Sequence, residues 1–179
     1  MPGYLRNMIT LALLGSGILS CTTNLDKTSS FKDVFDYYRS QPGVVAFSLP
    51  PALFSLILDQ AEDSDLRDIS SLLKDLSAFR MIVLENDKQF ETKKEELFDV
   101  VYQFTVRNAY NDFFTMRGGQ NDLIIKVRDS DDIIREAVII IGAEDSFAVL
   151  NLKGDIHPEY FTRLAESGFL EDLKDLKSW

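Results

Sequence analysis

The only cysteine of this chain, Cys21, follows directly on an apolar amino-terminal segment, and this arrangement limits which part of the chain can fold. Arg6 precedes an apolar run from Met8 to Leu19, and polar residues follow the cysteine. A positive stretch, a short apolar run and a small residue before a cleavage point are typical of an export signal. Such a run would span only about 18 Å as a helix, against the roughly 30 Å hydrocarbon core of a bilayer. We therefore expect the folded part to begin after residue 20 and to contain no internal disulfide.

Residue sizes around Cys21 distinguish two processing routes. The ordinary signal peptidase requires small side chains at positions −1 and −3, and Ile18 at −3 does not fit. A branched aliphatic residue at −3, Ser20 at −1 and cysteine at +1 resemble the bacterial lipobox, although Leu19 at −2 is larger than usual. We predict a lipoprotein signal peptide over residues 1–20 and a lipidated Cys21, whose sulfur would accept a diacylglycerol. Two or more acyl chains hold a protein stably at a bilayer, so the membrane is a predicted partner.

The remaining chain is predicted to form a short tether and one domain. Residues 21–30 are polar and without periodicity, which is typical of a flexible tether. Residues 31–179 show no internal repeat and no second linker, and a chain of this length can bury about 70% of its unfolded surface. The sequence therefore predicts a single domain over residues 31–179.

The net charge argues against one class of partner. The chain carries a formal charge of −10, and removal of Arg6 with the leader makes it more negative. Nucleic-acid binding requires a cationic surface that neutralises phosphates, so no nucleic-acid partner is expected.

Hydrophobic periodicity gives the element order α-β-α-α-β-α-β-β-β-α. The first helix starts at Ser30 with Asp33 three residues later, and the longest is predicted to start at a capping box of Thr92 and Glu95. That longest helix is expected to include Phe113 and to end at Gly118 and Gly119. The other helices are predicted over residues 53–58 and 66–76 and from Asp155 or His157 onward, with an amphipathic tail over 169–179.

Five strands are predicted, over residues 44–47, 79–84, 123–128, 137–141 and 147–152. The fourth is apolar on both faces and should be central, whereas Lys126 and Arg128 predict one partly wet face on the third. Strands separated by helices usually run parallel, and strands joined by tight turns run antiparallel. We therefore expect an α+β fold with a mixed sheet of about five strands and helices packed mostly on one face.

Several segments together resemble a known family. They are Phe31-x-x-x-Phe35-x-x-Tyr38, the segments 43–48, 52–54 and 82–84, and the run Leu150-Asn151-Leu152-Lys153-Gly154-Asp155-Ile156. The combination is similar to the Bacteroidetes lipoproteins whose domain is known as domain of unknown function 4252. The resemblance implies a bacterial envelope lipoprotein and implies no site residues. Residues 22–26 lack the acidic tag that implies surface display in that group, which favours an outer-membrane location facing the periplasm.

The sequence contains no complete catalytic or metal-binding motif. His157 is the only histidine, and its position beside Pro158 is typical of a helix start. The acidic run Asp129 to Asp132 lacks the glycine and glutamate of a calcium loop, so it predicts a hairpin turn. Glu144, Asp145 and Asp155 lie near strand ends, where acidic groups are usually solvated. We therefore predict no catalytic residues, no metal and no cofactor, and a protein that is not an enzyme.

Three functions remain open at this point. The first is a non-enzymatic, lipid-anchored envelope domain that binds another protein, and the apolar tail from Phe169 to Trp179 could contribute to such binding. The second is a periplasmic carrier or sensor of a small apolar ligand, which requires a closed apolar cavity of about 300 Å³ or more. The third is a hydrolase with two carboxyl groups converging in a cleft, about 5–9.5 Å apart for glycosidic chemistry.

Overall fold

A six-stranded antiparallel sheet forms the centre of the computed structural model, which describes residues 29–50, 53, 74–118 and 121–161. The strands occur in the spatial order β1-β2-β6-β5-β4-β3. Their bounds are β1 Val44–Leu49, β2 Leu76–Leu84, β3 Asn111–Met116, β4 Asn121–Ser130, β5 Ile133–Ala143 and β6 Phe147–Ile156. Two helices have bounds within the described residues, α1 at Phe31–Tyr38 and α2 at Phe90–Arg107. The fold is therefore of the α+β class.

The prediction of a mixed sheet of five strands was wrong in number and in direction. Every neighbouring pair runs antiparallel, including β1 with β2, although about twenty-five residues separate them in sequence. The pairing of β1 with β2 matches Val45 with Val83 and Phe47 with Met81. Residues paired across an antiparallel ladder lie on the same face, so this register keeps the apolar side chains of both strands together.

Helix α1 forms as its sequence predicts. The Ser30 hydroxyl and backbone N–H both donate to Asp33 Oδ2, at 2.9 Å and 3.2 Å. Four apolar residues at helical spacing are all buried: Phe31, Val34, Phe35 and Tyr38. Helix α2 buries Leu97, Val101 and Phe104 against the same cluster, and the Phe31 and Phe104 rings meet edge-on at 5.8 Å. Both described helices therefore lie on one face of the sheet.

The predicted boundaries of helix α2 were wrong at both ends. The helix begins at Phe90, so Thr92 lies inside its first turn and does not cap it. It ends at Arg107, and Ala109 then takes a left-handed backbone with φ of 55°. Phe113, predicted on the helix, lies in strand β3, which pairs with β4 at the edge of the sheet. Pairing with β4 thus replaces the helix that the spacing of apolar residues suggested.

The centre of the sheet carries most of the core. Strand β5 is central, as predicted, and residues 136–142 are all buried. The predicted wet face of β4 was wrong at Lys126, which is 4% exposed. Its ammonium group lies 2.6 Å from an Asp112 carboxylate oxygen and 4.7 Å from the centre of the Tyr102 ring. The charge is buried because strand β3 and helix α2 supply both partners.

The turn between β4 and β5 is the charged hairpin that the sequence predicts. Asp131 and Asp132 connect the strands with φ of 55° and 62°, and two successive positive φ angles are typical of a type I′ turn. Gly43, at φ 68°, makes the turn from α1 into β1 with a left-handed backbone that residues with a Cβ atom rarely adopt.

Three helix predictions fall partly or wholly outside the described residues. Leu76, predicted in a helix, is the first residue of strand β2. Leu53 is helical and 41% exposed, and the other residues of 51–73 lie outside the described ranges. Strand β6 continues through Asp155 to Ile156, and helical residues begin at Glu159 after Pro158. The tail from Phe169 lies outside. Of the helices in the described ranges, none has the length and apolar character needed to span a bilayer.

Candidate functional site

An open cleft of about 730 Å³ lies between helix α2 and one end of the sheet. Its floor is apolar, formed by the buried side chains of Ile124, Ile140 and Phe147 and by the half-buried ring of Phe98. Helix α2 forms one wall, and the start of β4 and the end of β5 form the other. Ile124 lies opposite Ile140 in the ladder, which places both floor residues at the same level of the sheet.

Four carboxylates surround this apolar floor, on Glu95, Asp99, Asp122 and Glu144. All four residues are exposed, and none forms an ion pair with another described residue. A catalytic carboxyl group usually needs burial or a close charged neighbour that adjusts its acidity, and exposure to water opposes this. The arrangement therefore provides a negative rim for binding more readily than a catalytic pair.

Two cations also border the cleft, and each already has a contact. Lys94 Nζ donates to the Ala143 carbonyl oxygen at 3.0 Å and lies 5.5 Å from the centre of the Phe90 ring. The Arg117 guanidinium lies 5.7 Å from the centre of the Phe98 ring. These contacts hold Lys94 at the wall and place Arg117 above an aromatic face. With four carboxylates against two cations, the cleft has a net negative charge.

A buried polar network occupies the opposite end of the same sheet face. Arg80 donates to the Asn151 side-chain oxygen at 3.1 Å, and Asn151 donates to Glu136 Oε1 at 2.9 Å. Arg128 donates to Glu136 Oε2 at 2.7 Å and lies 5.4 Å from the centre of the Tyr110 ring. Burial, and after it the charge of Glu136, raises the pKa of Tyr110. Both carboxylate oxygens of Glu136 accept hydrogen bonds within the network. The network is therefore structural, and this carboxylate is not free to act on a substrate.

Comparison with known proteins identifies the family of the domain. A family model described as a domain of unknown function, DUF4252, matches residues 37–164, which is more than half of the chain. The chain belongs to the DUF4252 family. No curated protein and no solved structure shows significant similarity to it. The matched range of the DUF4252 domain includes the cleft and the buried network, and the family description gives neither of them a role.

The structure disperses the few acidic groups and the histidine that the sequence analysis considered. Glu144 is on the rim of the cleft, whereas Asp155 pairs with Arg135 on the neighbouring strand. His157 is exposed and contacts the Tyr160 ring edge-on, with 5.8 Å between ring centres. Among the described residues of the DUF4252 domain, no three acidic, histidine or cysteine residues come together as a possible metal site. Cys21, the predicted lipidation site, lies outside the described residues.

The cleft itself was missed by sequence reasoning. Asp122 was not singled out because it precedes the predicted strand over 123–128, and Glu95 was assigned to a capping box that does not form. The signal available was the row of acidic residues along the exposed side of helix α2, Glu91, Glu95 and Asp99, at spacings of four. Residues four apart lie on one helix face, so this row could have predicted an acidic helix surface but not the sheet end that completes the cleft.

A second, smaller groove of about 420 Å³ lies between the end of helix α1 and the start of helix α2. Tyr37, Tyr38 and Leu84 contribute its apolar side, and Gln41 and Glu96 contribute polar groups. The Tyr38 hydroxyl is buried and has no hydrogen-bond partner among the described residues. Burial, and after it the nearby charge of Glu96, raises the pKa of Tyr38. The groove is open, so it is not the closed apolar cavity that a carrier of small apolar ligands requires.

We predict that Tyr38→Phe leaves the protein as stable as the natural chain, or more stable by up to about 1 kcal/mol, at pH 7. The reason is that the substitution removes a buried hydroxyl that has no partner. The raised pKa of Tyr38 adds a pH dependence, since the unfolded phenol ionises near pH 10, below the pKa in the folded state. Above about pH 10 the phenol ionises in the unfolded state but not in the folded state, which lowers the free energy of unfolding of the natural chain. The advantage of Tyr38→Phe should therefore grow as the pH rises above about 10.

Urea denaturation at pH 7 and at pH 10.5 measures both effects. A loss of more than about 1 kcal/mol in Tyr38→Phe at pH 7 would show instead that the hydroxyl is hydrogen-bonded in the folded protein.

Proposed function

We propose that the DUF4252 domain of this protein is a non-enzymatic protein-binding module, held at the bacterial envelope by lipid on Cys21. The cleft is proposed to bind a segment of a partner protein that combines basic and large apolar side chains. The observation that supports this proposal is the set of four exposed carboxylates around an apolar floor. Apolar side chains of the partner would cover Phe98 and the buried floor residues, and its lysine or arginine side chains would reach the rim.

Charge and apolar contact would have separate roles in this binding. Opposite charges at an exposed rim mainly increase the association rate and the specificity, and their effect falls as salt is added. Burial of aromatic or aliphatic side chains on the floor would supply most of the affinity, at roughly 25 cal/mol per Å² of apolar surface. A peptide that lacks either component should therefore bind more weakly than one that has both.

The experiment uses three fluorescent octapeptides and the purified full chain. One peptide alternates lysine and phenylalanine, the second replaces lysine with glutamate, and the third replaces phenylalanine with serine. We expect only the first to bind measurably by fluorescence anisotropy, and we expect Asp122→Lys/Glu144→Lys to weaken it about tenfold, or roughly 1.4 kcal/mol.

A matched double variant controls for the overall negative charge of the chain. Glu85→Lys/Glu159→Lys produces the same change in net charge at two exposed residues outside the cleft and should change the affinity less than about twofold. If both double variants weaken binding equally, the peptide responds to net charge alone and the cleft is not its site. If the glutamate peptide binds as tightly as the lysine peptide, the proposed chemistry of the partner is wrong.

A further inference from the structure

Edge strand β3 is exposed along its whole length, and this is unusual for an apolar strand. All six of its residues are exposed, and Phe113, Phe114 and Met116 are exposed by 42%, 46% and 43%. Natural edge strands usually carry a lysine or proline, or are covered, because an open edge can pair with another strand. Strand β3 has neither residue, and among the described residues it pairs with β4 alone. A register shift between Asp112 and Phe114 interrupts that pairing, and the Phe113 ring lies 5.3 Å from the Phe161 ring, so the open part of the edge is residues 114–116.

The side chains of β3 lie on alternate faces of the sheet from Phe114 to Met116. Phe114 and Met116 lie opposite Ile125 and Leu123 of β4, on the face away from helices α1 and α2. Thr115 lies opposite Ile124, on the helix face. Asp112, the one charged residue of the strand, is paired with Lys126 at 2.6 Å. The edge is therefore locally neutral, although the whole chain carries a charge of −10.

We propose that β3 pairs antiparallel with β3 of a second copy of this chain, about a twofold axis at Thr115. In this register Thr115 lies opposite its own copy, and Phe114 lies opposite Met116 of the second copy. The Phe114 and Met116 side chains are on the same face, so both apolar pairs form together and the alternation of faces is preserved. The two six-stranded sheets then continue as one sheet across the dimer.

A second copy fits this edge better than the other available strand pairing does. The twofold arrangement is closed, whereas pairing β3 of one copy with β1 of the next would continue without limit. Strand β1 also differs from β3, because the Phe47 ring stacks on Phe79 at 6.0 Å and the Ser48 hydroxyl donates to the Phe79 carbonyl oxygen. A pairing of this length buries less than the roughly 1,200 Å² of stable complexes, so the dimer is weak, with a Kd of about 10 μM or above.

Disulfide formation at the proposed axis tests the pairing in the purified full chain. Directly opposed residues in an antiparallel ladder have Cα atoms about 4.5–5.5 Å apart, within the range that a disulfide spans. Under mild oxidation at about 100 μM, Thr115→Cys should form at least about five times more covalent dimer than Ser48→Cys. Ser48 is a matched control, since it is also an exposed hydroxyl residue on an edge strand. Both variants retain Cys21, so dimers formed through Cys21 are equal in the two.

A second substitution tests the register. Phe114→Lys in the Thr115→Cys chain should lower the dimer yield about fivefold or more, because it removes both apolar pairs. Phe114 is exposed, so circular dichroism of the monomer should be unchanged. Equal dimer yields for Thr115→Cys and Ser48→Cys would overturn the proposal, as would a Thr115→Cys yield that Phe114→Lys does not lower. In the chain that carries both Thr115→Cys and Ser48→Cys, a disulfide between the cysteines introduced at positions 115 and 48 would also overturn the proposal, because it would show the open, continuing arrangement. The test uses protein in solution, so its outcome does not depend on the proposed cleft or lipid anchor.

Discussion

Substitution of Cys21 by serine, together with Ile18→Ala so that the ordinary signal peptidase can remove the leader, should transfer the protein from the membrane fraction to the soluble fraction of its native cells. The natural chain should sediment with membranes to about 90% or more, and Ile18→Ala/Cys21→Ser to about 10% or less. The measurement is immunoblotting of the two fractions after cell breakage, together with the intact mass of the purified protein. The natural mature chain should begin at Cys21 and carry the mass of a diacylglycerol.

The large size of this effect follows from the energy of burying acyl chains. Each buried CH₂ group contributes about 0.8 kcal/mol, so one chain binds a bilayer only marginally and two hold a protein almost permanently. Serine offers a hydroxyl in place of the thiol that is proposed to accept the lipid, so both acyl chains would be lost together. The acidic domain has no compensating attraction to anionic lipid, because its net charge is negative.

Ser20→Ala is the matched control for this experiment. It changes a neighbouring residue but keeps a small side chain at −1 and keeps the thiol, so membrane association should be unchanged. A natural chain that begins at a residue other than Cys21, or that carries no lipid mass, would refute the proposed anchor. Retention of Ile18→Ala/Cys21→Ser in membranes as a mature-sized protein would refute it as well.

Local sequence patterns predicted helix α1 well and helix α2 poorly, for an identifiable reason. In α1 the capping residues and the apolar stripe agree, and Ser30 and Asp33 form the expected hydrogen bonds. In α2, Val101 and Thr105 lie on one face, and Ala109 and Phe113 continue the same spacing of four although the helix ends at Arg107. Asn108 and the left-handed Ala109 end the helix, and pairing with β4 determines the strand that follows. A one-dimensional pattern does not contain that pairing.

The same limit applies to the candidate site. The hairpin at Asp131 and the central position of β5 follow from local chemistry, and both were predicted from sequence. The cleft requires that Asp122 and Glu144, at two different strand ends, face helix α2, and this depends on the strand order. Buried Lys126 and Glu136 were unexpected for the same reason, since each has its partner on a neighbouring strand.

The Arg128–Glu136 pair, whose carboxylate is buried, should give the largest change in stability of the substitutions considered for the folded domain. We expect Arg128→Met to lower the free energy of unfolding by about 2 kcal/mol, because it leaves the Glu136 carboxylate, whose side chain is 8% exposed, without its cation. Solvent around the Arg128 side chain, which is 43% exposed, keeps the cost below that of a fully buried pair. Glu136→Gln should cost about 1–2 kcal/mol, since the amide retains hydrogen bonds to the network without the charge. The double variant should cost less than the sum of the two, with a coupling energy of about 1–2 kcal/mol.

The adjacent residue on strand β5 provides a matched control for this cycle. Arg135 pairs with Asp155 of the neighbouring strand β6, and these side chains are 42% and 67% exposed, so the two pairs differ mainly in the burial of the carboxylate. Solvent screens such a pair, so Arg135→Met and Asp155→Asn should each cost little, with a coupling energy below about 0.5 kcal/mol. Urea denaturation at neutral pH measures all the variants under the same conditions. Equal coupling energies in the two cycles would contradict the prediction, because they would show that burial does not strengthen the Arg128–Glu136 interaction.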